Sequence, residues 1–235
     1  MVQEQVMVKQ RIKESLHTWN SIAKSFDHTR QTTWDFCTQY IKIIDKQAIC
    51  ADLGCGNGRH LFPLAKQCKH AIGFDISYNL LHLTHQKIVK NKLTNASVIQ
   101  GDLCFLPFQS NVFNHCIYIA ALHNIQKQHN RIRSLQELYR ILKPKGTALV
   151  SVWSKEQDRF KQKKFTDNKG KKSGDIILYW RQHKLNIPRF YHLYEKEEFK
   201  QDLIKANFHI QKLKEISITS KKSIDNYYAI IQKKE

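Results

Sequence analysis

The sequence predicts an α/β fold: a seven-stranded, mostly parallel sheet with helices on both faces. Three observations predict it. Short, continuous apolar runs alternate with amphipathic stretches of helix length. The first of those runs opens directly into a glycine cluster. Acidic residues stand at or just beyond the ends of the first three runs. With 235 residues the chain suits one domain around one core. It reads as a single domain over 1–235, with an N-terminal helical cap over 1–46 and a basic inserted loop over 155–187.

Leu16, Trp19, Ile22, Ala23 and Phe26 recur at helical spacing and predict a helix over 16–27. Phe36, Tyr40, Ile43 and Ile44 do the same over 34–44. Residues 48–53 form an unbroken apolar run up to Asp52, the pattern of a strand buried on both faces. A helix over 59–67 follows the glycines. The second strand spans 70–74 and is closed by Asp75. A helix over 78–89 comes next, with Ser77 placed to cap it. The third strand is 96–100 and the fourth 112–121. A helix over 132–142 is stopped by Pro144 and Gly146, and a fifth strand spans 147–153. Residues 155–184 carry ten lysines and arginines against four acids and show no period. They read as a basic loop, of the kind used as a lid or binding segment. A helix over 195–206 and a closing pair of strands, 208–218 and 227–232, complete the sheet.

Charge narrows the function classes. Lysine and arginine number 39 against 20 acids, a net charge of +19. Such an excess repels itself in a compact chain, and a polyanion such as RNA offsets it. No apolar run reaches the length of a membrane span, so no membrane is expected as partner. Residues 1–14 are polar and lack the apolar core of a secretory signal, which points to the cytoplasm or the nucleus. Six cysteines without a CxxC pair argue against a disulfide framework or a zinc site.

The densest signal is Asp52-Leu53-Gly54-Cys55-Gly56-Asn57-Gly58, between a strand and a helix. Glycines there let backbone approach a ligand without a Cβ in the way. Asp52 suits a cationic ligand. Asp75, twenty-one residues past Gly54, stands where a carboxylate accepts from two ribose hydroxyls. Asp102, in Gly101-Asp102-Leu103, stands where one accepts from an adenine amino group. Glycine loop, second-strand acid and third-strand Gly-Asp together resemble the class I methyltransferases, and the ligand they imply is S-adenosylmethionine. Gly54, Gly56, Gly58, Asp52, Asp75, Asp102, Leu103 and Ala120 form the expected cofactor set. No Asn-Pro-Pro-Tyr element and no Pro-Cys pair are present, which argues against amide or adenine N-methylation and against a cysteine-nucleophile mechanism.

Further motifs narrow the class. They are Trp19-Asn20-Ser21-Ile22-Ala23 with Phe26 to Arg30, the 119–123 segment, 131–142 with Pro144-Lys145-Gly146, Val152-Trp153-Ser154-Lys155-Glu156-Gln157, and Arg189-Phe190-Tyr191-His192-Leu193-Tyr194. On these the chain resembles the eukaryotic tRNA (carboxymethyluridine) methyltransferases over nearly its whole length outside the basic loop. It departs from them at Asn124 and Lys145. The resemblance implies methyl transfer to a carboxylate on the wobble uridine of tRNA. A carboxylate is ionised near neutrality, so that transfer needs no general base. Arg30 and Arg189 are then the expected grips on the carboxylate, with His123 at the strand tip and Tyr191 and His192 in the pocket wall. Lys161, Lys163 and Lys164 are expected on tRNA phosphates. The resemblance also implies a small zinc-binding activator subunit that adds a strand at the third-strand edge, near Ala96 to Gln100. The alternative is a small-molecule methyltransferase of the same fold, acting on a quinone or lipid precursor.

Overall fold

The computed structural model describes residues 2–160 and 173–235. Helices α1 (Val2–Thr29) and α2 (Asp35–Lys42) precede β1 (Ile49–Leu53), α3 (Leu61–Gln67), β2 (His70–Asp75), α4 (Tyr78–Lys90) and β3 (Ala96–Gln100). Then come β4 (Phe113–Ile119), α5 (Gln128–Ile141), β5 (Leu142–Trp153), β6 (Asp175–Trp180), β7 (Ile187–His192), α6 (Lys196–Lys205), β8 (His209–Ile216) and β9 (Asn226–Gln232). Seven strands form one sheet in the order β3-β2-β1-β4-β5-β9-β8. Its first five members run parallel, and β8 and β9 close it antiparallel. The strand order reverses between β1 and β4, so a crevice opens beyond their carboxyl ends.

The sheet is covered on both faces, which is why its central strands read as unbroken apolar runs. Ala51 and Leu53 of β1 join one core cluster with Leu135 and Leu138 of α5 and Phe199 and Leu203 of α6. Cys50 and Ala48 join the other, with Tyr40 and Ile41 of α2, Leu61 and Leu64 of α3 and Ile88 of α4. Ser77 caps α4, its Oγ accepting from the Leu80 amide at 3.2 Å. Among the described residues no helix is long and apolar enough to cross a membrane.

Three segments differ from the reading of the sequence. Helix α1 starts at Val2, not near 16. Its first half lacks an apolar stripe but is made of good helix formers, Gln, Glu, Met, Lys and Arg. Strand β5 starts at Leu142, so Pro144 and Gly146 lie in the strand. They form a bulged lead-in, where Phe113 pairs Leu142 but His115 pairs Thr147. The basic segment 155–187 is not all loop: β6 and β7 form an antiparallel ribbon from Asp175↔His192 to Trp180↔Ile187. Ile176, Leu178 and Trp180 face inward while Ile177 and Tyr179 are exposed, a period of two that the surrounding charge hid. Lys161, Lys163 and Lys164 lie outside the described residues.

Helix α1 fastens this ribbon over the crevice. Asn20 Oδ1 accepts from Ser77 Oγ at 2.8 Å and from the Asn79 amide at 3.0 Å, and Asp27 pairs with Lys87 of α4. On its other side Ser25 Oγ accepts from the Trp180 indole at 2.7 Å and pairs with His183 Nδ1 at 2.7 Å.

Candidate active site

The loop after β1 is shaped by its glycines. Gly54 has φ +72°, and a Cβ built on it would lie 2.3 Å from the Ala121 Cβ. Gly58 has φ +81°, and its Cβ would lie 2.7 Å from the Phe62 ring and 2.8 Å from the Thr84 methyl. The Gly54 and Cys55 amides donate to the Phe74 carbonyl at 2.7 and 3.1 Å, which locks the loop to the end of β2. Asp75 completes the lock: its Oδ2 accepts from the Gly56 amide at 2.9 Å and its Oδ1 from the Ser77 amide at 2.8 Å.

One cleft at this rim is lined by Gly54, Gly56, Asp75, Asp102, Leu103 and Ala120, and also by Arg30, His123, Arg189 and Tyr191. The expected cofactor and acceptor residues therefore meet in one place. Three of the expected residues that are described do not line it. Asp52 and Gly58 lie behind the loop. The Asp52 carboxyl is buried, its Oδ2 has no partner, and burial followed by the neighbouring Asp75 pushes it up to about 8. Arg59 counters that shift in part. Gly58 packs against α3 and α4. His192, expected in the wall beside Tyr191, points to the opposite face of the ribbon, because neighbours on a strand alternate sides.

Asp102 is not idle. Arg11 of α1 grips both of its oxygens, with Nη1 3.1 Å from Oδ1, and the Cys104 amide donates to Oδ1 at 3.1 Å. A carboxylate oxygen takes two donors, so Oδ2 can still accept from an adenine amino group. Asp75 likewise keeps a second lone pair on each oxygen for ribose hydroxyls. The apolar flanks Leu103, Ile76 and Ala121 suit a nucleoside. The residues present thus fit S-adenosylmethionine.

The acceptor end of the cleft starts with backbone strain. Ala120 follows β4 at φ +54°, which costs about 1–2 kcal/mol for a residue with a Cβ. Ser151 holds it there, accepting the Ala120 amide through O and Oγ at 3.2 and 3.1 Å. His123, three residues on, is wholly buried. Its Nδ1 accepts from the Trp153 amide at 3.1 Å, so the ring proton sits on Nε2. That Nε2 is buried without a partner. Burial first, then His192 and the arginines around it, bring its pKa down to about 3, so the ring is neutral.

Rings and guanidiniums alternate beyond it. Trp153 and Tyr191 stack at 4.5 Å and 1°, and His123 lies 5.1 Å from Trp153. Arg159 sits 4.5 Å from the Trp153 ring, Arg189 5.0 Å from Tyr191 and 4.7 Å from Trp180, and Arg30 5.4 Å from Trp180. Arg189 Nε is buried without a partner. Sequence reasoning missed Arg11, Trp153, Trp180 and Arg159. Trp153 had a signal, its place at the carboxyl end of a parallel strand. Arg11 had none, because its partner lies 91 residues away.

His192 does a different job. Its Nδ1 meets Asp175 at 2.6 Å and its Nε2 meets Glu198 at 2.7 Å, tying the ribbon to α6. Burial opposes its charge, but the two carboxylates outweigh burial and raise its pKa. Burial also opposes the charges of Asp175 and Glu198, and His192 outweighs it and lowers both. The imidazolium's contribution is full below the ordinary histidine value of about 6.5 and is lost as pH rises through the raised value. The carboxylates' contribution is full above about 4.3 and is lost as pH falls through their lowered values. Thermal stability is expected to peak between those limits and to decline on the alkaline side. His192→Gln should flatten that alkaline decline in melting curves. An unchanged decline in the variant would assign it elsewhere.

Comparison with known proteins agrees with this geometry. A family described as "Methyltransferase domain" matches residues 51–150. A solved S-adenosylmethionine-dependent methyltransferase from Methanosarcina mazei superposes with a TM-score of 0.71 at 19% identity, covering 86% of this chain and 99% of that one. The chain has the fold of the class I S-adenosylmethionine-dependent methyltransferases. Within that class its curated relatives include proteins named tRNA (carboxymethyluridine(34)-5-O)-methyltransferase. That of Xenopus tropicalis is 34% identical over 64% of this chain and 23% of its own length. That of Arabidopsis thaliana is 31% identical over 62% and 34%. The matched region is thus about a third or less of these relatives' length. A Haloferax volcanii methyltransferase solved in complex with a Trm112 activator also shares the fold, with a TM-score of 0.67 at 15% identity over 95% of this chain and 98% of that one.

Proposed function

We propose that the chain methylates the carboxylate of a carboxymethyl-type wobble uridine in tRNA, forming the methyl ester. The observation that carries this is His123. Its Nδ1 lone pair is used by the Trp153 amide and its Nε2 holds the proton, so the neutral ring offers the cleft a donor and no base. Amine or hydroxyl acceptors must lose a proton, whereas a carboxylate arrives already ionised. The names of the relatives support the same acceptor.

Bound in the cleft, S-adenosylmethionine supplies an electrophilic methyl group on a positively charged sulfur. Arg30 and Arg189 grip the acceptor carboxylate, a pairing guanidinium geometry favours. His123 Nε2 donates to the same group or to the uracil edge. The Trp153–Tyr191 stack walls the acceptor from water. Methyl transfer to a carboxylate oxygen would release no proton, so no residue of the chain would have one to remove. The work left to the protein is alignment.

The activator belongs to this proposal. Among the described residues strand β3 is the sheet edge, paired with β2 alone, and none of its five residues is buried. Its free backbone groups suit an added strand from a small zinc-binding subunit, and the Haloferax neighbour supports such a partner. The reading is tested by incubating the chain, with and without that subunit, with S-adenosylmethionine and tRNA bearing carboxymethyluridine, then analysing nucleosides by mass spectrometry. A base-labile methyl ester on the uridine side chain is expected. Methyl found on a ring nitrogen or carbon, or no product under either condition, overturns it.

A further inference from the structure

Arg30 and Arg189 face the acceptor end of the cleft and Arg159 lines the hollow beside it, and none of these three makes an ion pair among the described residues. Arg30 donates only to the Thr29 carbonyl, at 3.3 Å. Arg189 makes no hydrogen bond to a described residue, and its buried Nε is orphaned. Arg159 donates through Nε to Gln157 Oε1 at 2.9 Å, and Gln157 is anchored in turn on the Asp225 carbonyl at 3.1 Å. Burial first lowers the pKa of Arg189 and Arg159 and the neighbouring arginines lower it further, while Tyr191 counters at both and Asp225 also counters at Arg159. A single carboxylate offsets one of these three charges. The remainder calls for a second anion.

The shape of the surface says where it lies. The cleft continues past Arg30, Arg59, Trp34 and Trp153 into a second hollow, which Arg159 enters from the far side. Thr29, Thr32, Thr219, Ser220 and Gln157 give that hollow hydroxyl and amide groups. Two acids line it, and backbone amides already engage an oxygen of each: Asp225 Oδ2 accepts from Ile218, Thr219 and Ser220, and Asp158 Oδ2 from Lys221 and Lys222. Arg159 is exposed, held in place by the Trp153 ring and by Gln157, with its two Nη groups left to a ligand. Arginine stacked on an aromatic ring beside a chain of rings and hydroxyls is how single-stranded nucleic acid is held by its backbone.

We propose that this second hollow is a phosphodiester subsite, in which Arg159 grips the phosphate next to the acceptor nucleotide while Arg30 and Arg189 grip the acceptor carboxylate. The proposal rests on the carboxylate reading and adds a second anchor to it. Arg159 is then a positioning residue: the phosphate fixes the nucleotide's register and so aims the side chain at the methyl group.

The test uses the full chain and binding rather than turnover. Calorimetry compares 5-carboxymethyluridine with its 3′- and 5′-monophosphates, and each with unmodified uridine and its monophosphates. For the wild type, one of the two phosphates should tighten binding about tenfold or more. Arg159→Ala should bind the free nucleoside as the wild type does and lose the phosphate gain, while Arg159→Lys keeps part of it. S-adenosylmethionine affinity should be the same in all three proteins. If neither phosphate helps the wild type, or if Arg159→Ala keeps the gain, the subsite is refuted. Failure of the carboxylate reading looks different: carboxymethylated and plain uridine phosphates then bind alike, whatever stands at 159.

Discussion

Gly54→Ala is expected to abolish S-adenosylmethionine binding at concentrations that saturate the wild type. Two costs add at this position. Alanine at φ +72° loses about 1–2 kcal/mol to its own backbone. Its Cβ also falls 2.3 Å from the Ala121 Cβ, far inside contact distance, so the loop or the tip of β4 must move. Neither moves freely, since Gly54 and Cys55 are hydrogen-bonded to Phe74 and the neighbouring Ala120 amide is held by Ser151. A displacement of about 1 Å in a site of this kind costs on the order of 100-fold. Ala121→Gly separates the two costs. In the double variant Gly54→Ala/Ala121→Gly the clash is gone and the backbone strain remains, so affinity should return to within about tenfold of the wild type. Calorimetric titration reads both. Unimpaired binding by Gly54→Ala, with its fold intact by circular dichroism, would mean that the cofactor does not approach this loop.

The second large effect is expected at His123. His123→Ala should lower the single-turnover rate about 10- to 100-fold, the value of a hydrogen bond to a charged group, with cofactor affinity unchanged. His123→Gln, whose amide also donates, should recover part of the rate. Because the ring is neutral well above its pKa of about 3, the loss should be the same at every pH near neutrality. A loss that deepens towards acid pH would instead assign His123 a proton-transfer role. A loss confined to cofactor binding would place it outside the acceptor site.

The sheet and most of the residues at the glycine-loop end of the cleft were legible in the sequence because both depend on local patterns. Unbroken apolar runs mark strands buried on two faces, and the glycines and acids stand at the ends of those runs, where the chain itself places them at one rim. Ser77 as a cap and Ala96–Gln100 as a strand are read from a few adjacent residues. The acceptor half depends on contacts between distant segments. Trp180, which backs Arg30 and Arg189, is held by Ser25, 155 residues away, and Arg159 is set by Gln157 resting on Asp225. Charge density over 155–187 concealed the alternation of Ile176, Leu178 and Trp180. His192 was misplaced for a related reason: its motif named Tyr191 and His192 together, but on a strand only one of two neighbours can face the cleft.

The account turns on an acceptor that enters the cleft already charged, beside a histidine that holds no spare lone pair. The rate of a single turnover, measured against pH with enzyme saturated by S-adenosylmethionine and tRNA, tests this most directly. Between about pH 6 and 8 neither an acceptor carboxylate near 4 nor His123 changes ionisation, and the predicted profile is flat. A rate that climbs about tenfold per pH unit, as removal of a proton by a titrating base requires, would contradict it.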